Sequence, residues 1–241
     1  MSHILLIARR ELAGYIRSPS CYLIAAALLL IDGLMFNSYA VGTGAKLSAR
    51  VLQDFFYVTS GTTMIAAVLL SMRLLAEERQ SGTLALLFTS PVREHEIIIG
   101  KFVSALVFLL CITLLTIYLP ALIMIRGKVS WGHIGAGYLG LGLLGGATLS
   151  IGVLGSSLAR NQLVAGVISA TFVVALLLCW LLARVADAPI KGVLSYLAMF
   201  DQHFRPFQRG MLRMSDVVFF LSVIYFSLLA STRVLQSQRW Q

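Results

Sequence analysis

The chain has 241 residues, of which 59% are hydrophobic and only 12% charged, against about 25% charged in a typical soluble domain, which excludes a water-soluble globular fold. Its mean hydropathy is +0.88. The formal net charge is +9, but the Arg and Lys residues sit mainly in short segments flanking apolar blocks, where they meet lipid headgroups, and this argues against nucleic acid as a partner.

Residues 2–17 predict an amphipathic helix lying in the membrane interface. Leu5, Ala8, Leu12 and Tyr15/Ile16 recur at helical spacing, with Arg10, Gly14 and Arg17 on the opposing face. Ser18-Pro19 ends it and turns the chain into the membrane. The helix is either a simple anchor or an elbow that brackets a transport core. The apolar block that follows is too long for the h-region of a cleaved signal peptide, so none is expected.

Six apolar blocks follow, approximately Cys21–Val41, Phe55–Leu75, Phe102–Ile125, Ile134–Leu158, Leu163–Ala183 and Val217–Leu235. About 20 apolar residues cross a bilayer as a helix, and in hydrocarbon the backbone must satisfy its own polar groups. The expected fold class is therefore an all-α polytopic membrane protein with six transmembrane helices. An even count places both termini on one side. Inner and outer basic residues nearly balance in number, but Arg184, Lys191, Arg205, Arg209 and Arg213 all fall in one long segment. Arg9, Arg10 and Arg17 precede the first span, against Lys46 and Arg50 after it. The first span weighs most in setting orientation, so the termini are expected on the cytoplasmic side.

Asp32 lies midway through the first span. A carboxylate there is a functional-site candidate, either as a hydrogen-bonded structural group or on a translocation path. The other polar residues in the spans, Asn37, Ser60, Thr62, Thr63, Thr113, Thr116 and Ser150, are too few and too generic to define a ligand. The fourth span is glycine-rich. Gly142 and Gly146, four apart, share a face that lets another helix approach closely, within this chain, between subunits, or as a sliding surface.

Between the second and third spans runs EERQSGTLALLFTSPVREHEIIIGK, from Glu77 to Lys101. Arg73, Glu77, Glu78 and Arg79 end the second span. Gly82-Thr83 opens a short helix on which Leu84, Leu87 and Phe88 fall at i, i+3 and i+4, and Thr89-Ser90-Pro91 stops it. An apolar knob rimmed by charge is how a helix-in-groove dock is made, although a helix lying on lipid has the same pattern. Residues 184–215 form the longest outer segment. Ile190–Phe200 reads as a short half-buried helix, and Phe200, Phe204 and Phe207 alternate with His203, Arg205 and Arg209. This is an interfacial anchor, a cap over a pathway or a docking face.

Cys21, Cys111 and Cys179 are widely separated, with no CxxC and no His at metal-ligand spacing; buried, inert thiols and no metal site are expected. No GxxxxGK[ST], HExxH or GxSxG motif occurs. The carboxylates cluster only as Glu77/Glu78 and Glu94/Glu96, interleaved with arginines. No catalytic site and no cofactor of its own are expected.

The stretch from Glu77 to Lys101 resembles the E-x-x-x-G-T-x-x-x-L-x-x-x-P-x-x-x-x-E-x-x-x-G-K pattern of ABC-2-type transporter permeases, at Glu78, Gly82, Thr83, Leu87, Pro91, Glu96, Gly100 and Lys101. REL-x-x-Y-x-x-SP, from Arg10 to Pro19 with Glu11, Leu12 and Tyr15, is similar to the elbow-helix motif of that family. DQHFRPFQRGMLRMSDVVFF and the C-terminal RVLQSQRWQ resemble its gliding-motility-type branch. The resemblance covers essentially the whole chain. It implies that Glu77–Pro91 is a cytoplasmic coupling helix docking into a cleft of a separate ABC ATPase subunit, which binds ATP and Mg. It also implies a working unit of two permease chains and two ATPase chains in the bacterial cytoplasmic (inner) membrane. In the related branch a paralogous permease bearing a large extracytoplasmic part replaces one copy. Some relatives transmit motion to periplasmic partners without exporting a solute.

Overall fold

A computed structural model describes residues 3–41, 48–82, 93–126, 129–187 and 190–238. Every regular element among them is helical: α1 (His3–Arg17), α2 (Pro19–Val41), α3 (Ser48–Ser71), α4 (Ala76–Gln80), α5 (Glu94–Leu115), α6 (Tyr118–Arg126), α7 (Trp131–Leu158), α8 (Gln162–Val185), α9 (Ile190–Leu197), a π-helical turn (Met199–Phe204), α10 (Arg205–Gln208) and α11 (Met214–Gln238). Six helical segments are long and apolar enough to cross a membrane: Pro19–Ser38, Ser48–Gln80, Glu94–Met124, Trp131–Leu158, Gln162–Val185 and Met214–Ser237.

Several spans run longer than their apolar blocks, and polar residues cap their ends. Ser130 Oγ accepts the His133 N–H at 3.3 Å, and Asn161 Oδ1 accepts the Val164 N–H at 2.8 Å, each meeting a donor that the first turn of a helix leaves open. Glu94 and Glu96 in the first turn of α5 suit the positive end of its dipole. The third span is not one helix. It breaks at Thr116-Ile117, between α5 and α6, because Pro120 has no N–H to give the carbonyl four residues back and its ring crowds that carbonyl.

Helix α7 is the axis of the bundle and packs against α3, α5, α8 and α11. Of its most apolar stretch 78% is buried, against 17% for α2 and α11. Lipid tails are as apolar as leucine, so close packing, not flight from water, holds such helices together, and small residues set the approach. A methyl group at Gly137 would run into the Phe56 ring, and one at Gly152 into the Ser71 side chain. One core cluster, at the end away from the termini, joins Phe55, Phe56, Leu141, Phe204, Phe207 and Phe220. A second joins Cys21, Leu74, Ile98, Phe102, Val153 and Leu235 at the terminal end.

Residues 190–213 fold back onto the bundle. Gln208 Nε2 donates to the Gln53 carbonyl at 2.7 Å. His203 is buried, with Nδ1 2.8 Å from Asp216 Oδ1, Nε2 2.9 Å from the Tyr196 carbonyl oxygen, and its ring stacked on Phe219 at 3.8 Å. Gly210, at φ +78, closes α10 in the left-handed conformation that glycine favours. The thiols of Cys21 and Cys179 are buried as expected, but Cys111 is exposed on α5.

Candidate functional site

The second span leaves the bundle through a turn at Met72–Leu75 before α4. A turn there strands backbone donors, and Ser156 near the end of α7 meets two of them. Its Oγ accepts the Leu75 and Ala76 N–H groups at 3.1 and 3.0 Å. Arg79 then ties α4 to the same end of α7, donating to the Ala159 carbonyl at 2.8 Å and the Ser157 carbonyl at 3.1 Å. Glu77 pairs with Arg73 one turn back at 3.0 Å. Gly82, at φ +73, closes α4.

Two turns into α5 stands Lys101, whose side chain is only 3% exposed. Its Nζ lies 2.8 Å from Glu78 Oε1 and 3.2 Å from Glu11 Oε1. A buried ammonium needs such partners, since an unpaired one costs several kcal/mol. The residue before it makes the arrangement possible. A methyl group at Gly100 would come within 2.9 Å of Ile7 Cβ and 3.2 Å of the Ile4 carbonyl oxygen, so glycine lets α1 lie directly on α5. Tyr15 continues that contact, its ring 5.4 Å from Phe108. Burial first, and the charge of Glu11 second, push its phenol well above the ordinary tyrosine range. One lysine and two carboxylates thus join α1, α4 and α5, while Ser156 and Arg79 join α4 to α7.

Residues 5–236 match the family described as ABC-2 family transporter protein. The chain belongs to that family. A search of curated proteins found no match. As an ABC-2 family membrane protein with six helices able to span a bilayer, it is a multi-pass membrane protein.

The residues singled out in the sequence divide into three groups. Glu11 and Glu78 come together at Lys101, with Glu77 beside Glu78 on α4 and Tyr15 further along α1 against Phe108. Arg10 is exposed, Leu12 half-buried, and Pro19 opens α2. Thr83, Leu84, Leu87, Phe88 and Pro91 lie outside the described residues. Asp32, Gly142 and Gly146 sit elsewhere in the spans. Asp32 is buried and accepts a hydrogen bond from Thr62 Oγ1 at 2.8 Å. Gly142 lies against Leu110, and Gly146 against Ile224 and Leu106, so both face neighbouring helices of the same chain.

One side of α1 packs on the bundle and the other is left open. Ile4, Ile7, Glu11 and Tyr15 meet α5, whereas Leu5 and Ile16 are more than half exposed. Lys101 is the functional candidate that motif matching touched without assigning a role. The available signal was a lone lysine at the edge of an apolar block, with nothing local to name Glu11 or Glu78 as its partners. Among the described residues no three His, Cys, Asp or Glu side chains come together as a metal-binding group.

Proposed function

We propose that this chain is the permease subunit of an ATP-driven ABC transporter, and that the segment Glu77–Pro91 receives the stroke of a separate ABC ATPase subunit. The observation that carries this reading is the Lys101 cluster. It fastens the exit of the second span, the entry of the third and the α1 helix into one joint, so a push on the intervening segment moves three elements together. Arg79 and Ser156 extend the joint to the central helix. In this reading ATP and Mg are bound by the ATPase and the permease has no ATP site of its own. Two ATPase chains act on two permease chains, the second permease being another copy or a paralogous subunit with an extracytoplasmic part. The location is the bacterial cytoplasmic membrane, with both termini cytoplasmic.

The test is co-expression with ABC ATPases of the same genome, reading co-purification and ATPase turnover. Leu87→Asp, which leaves the Lys101 cluster intact, is expected to abolish both. Glu78→Lys, which also breaks the cluster, is expected to do the same. Undiminished assembly and turnover in both variants would overturn the proposal.

A second reading, a subunit that transmits force to an extracytoplasmic partner and carries no solute, is favoured by how the spans use their hydroxyls. Ser60, Thr113, Thr148 and Ser150 each donate back to a carbonyl of their own helix, which leaves little polar surface for a solute path. Nucleotide-dependent cross-linking to a periplasmic protein, with no solute flux in vesicles, separates it from the first.

A further inference from the structure

Between α8 and α11 lies a cavity of about 510 Å³ walled by Phe172, Leu176, Phe219, Val223 and Phe226. It opens on the flank of the bundle, where Phe172 and Phe226 are exposed. Tyr196 of α9 stands at one end of it. Next to Tyr196, Ser195 helps to line a second cavity of about 420 Å³, with Trp180, Arg184, Lys191, Asp201 and Arg205 around it. Phe172, Leu176, Trp180 and Arg184 recur every fourth residue of α8, so the two cavities follow one another along a single helix face. From Phe172 to Arg184 that face runs roughly 18 Å at 1.5 Å per residue, a little more than the half-thickness of a bilayer core of about 30 Å.

The lower part is apolar and the upper part is cationic. Arg184, Lys191 and Arg205 face one carboxylate, Asp201, which Arg205 pairs with at 2.6 Å. Arg184 lies over the Trp180 ring at 4.5 Å. Neither Arg184 nor Lys191 makes an ion pair among the described residues. Arg209 and Arg213, with Arg205, border an adjoining cavity of about 220 Å³ and add to the positive field.

We infer that this face of α8 is a binding site for one anionic phospholipid, its phosphate headgroup held by Arg184 and Lys191 and an acyl chain laid in the groove between α8 and α11. Charge complementarity selects an anion, and only an amphiphile fills both halves. A transmembrane helix of a second copy, about 10 Å wide, lies across such a groove without filling it, and its apolar face brings no anion to Arg184 and Lys191. A zwitterionic lipid brings its own cation into a cavity that already has two without a carboxylate partner. The inference stands independently of any ATPase.

The test uses Trp180 as reporter in the full chain, with Trp131→Phe and Trp240→Phe, reconstituted in phosphatidylcholine nanodiscs. Brominated phosphatidylglycerol or brominated phosphatidylcholine is titrated in, and fluorescence is compared with the unbrominated lipid. Phosphatidylglycerol is expected to reach half-maximal quenching at roughly a fivefold lower mole fraction, the effect of about one cation at a membrane surface. In Arg184→Gln with Lys191→Gln the two lipids are expected to quench alike. Ser222→Phe, which narrows the groove and leaves every charge in place, is expected to weaken quenching by both and keeps the test decisive if the charge variant does not fold. Equal quenching by the two lipids in the parent overturns the inference, as does a preference that survives the double substitution. Absence of quenching by either, with cross-links between copies through α8 or α11, overturns it in favour of a subunit contact.

Discussion

The two ends of the bundle each bury a polar cluster, and they do different jobs. At the terminal end Lys101 reaches Glu78 and Glu11, residues on two other elements and, in the case of Glu11, far away in the chain. At the opposite end His203 reaches Asp216 and the Tyr196 carbonyl, its near neighbours in sequence. The first cluster joins separate bodies, whereas the second holds one returning segment in shape. A buried charge is weak evidence for stability in itself; what it fixes is which parts move together.

Four substitutions, the first with a double rescue, test that contrast. Lys101→Met strands two carboxylates and is expected to lower stability by about 3–5 kcal/mol, read as thermal unfolding in detergent. Hydrogen exchange should rise in α1, α4 and the start of α5 together. Adding Glu11→Gln and Glu78→Gln is expected to restore most of the loss, and a failure to do so would mean that the lysine stem, not its charge, matters. His203→Phe keeps the stack on Phe219 and leaves the Asp216 carboxyl without its imidazole partner. A loss of about 1–3 kcal/mol is expected, with faster exchange confined to α9, the π turn and α10. Exchange spreading into α1 would erase the distinction between the two ends. Ser156→Ala removes the acceptor of two N–H groups and should cost about 1–2 kcal/mol, with proteolysis appearing near Leu75. Arg73→Gln, at a partly exposed i,i+4 pair, is expected to change stability by no more than about 0.5 kcal/mol.

Much of the bundle was legible because an apolar block long enough to cross a membrane has few alternatives. Pro120 carried the signal for the break in the third span, yet the continuous apolar run around it hid the break. Leu5 and Ile16 were assigned to lipid and stand exposed on α1, but the packing of Ile4 and Ile7 on α5 over Gly100 was not readable from the stripe alone. The pairing of Lys101 with Glu11 was out of reach, since nothing local marks two residues on different helices as partners. Thr62 was visible only as one hydroxyl among several, so its bond to Asp32 could not be chosen. The π turn followed by α10 was read as a simple aromatic–arginine alternation, because the closure of the His203–Asp216 pair comes from folding back, not from spacing.

The burial of α7 also bears on how the chain is made. Of the helices that enclose it, α3 and α5 are synthesised before it, and α8 and α11 after it. When α7 first enters the bilayer, the surfaces due to meet α8 and α11 face lipid, and its glycines offer that lipid little to grip. Its mean hydropathy is 1.6, against 2.5 for α8. The central helix therefore enters the bilayer before two of its packing partners exist, and its lasting neighbours include helices the ribosome has yet to deliver.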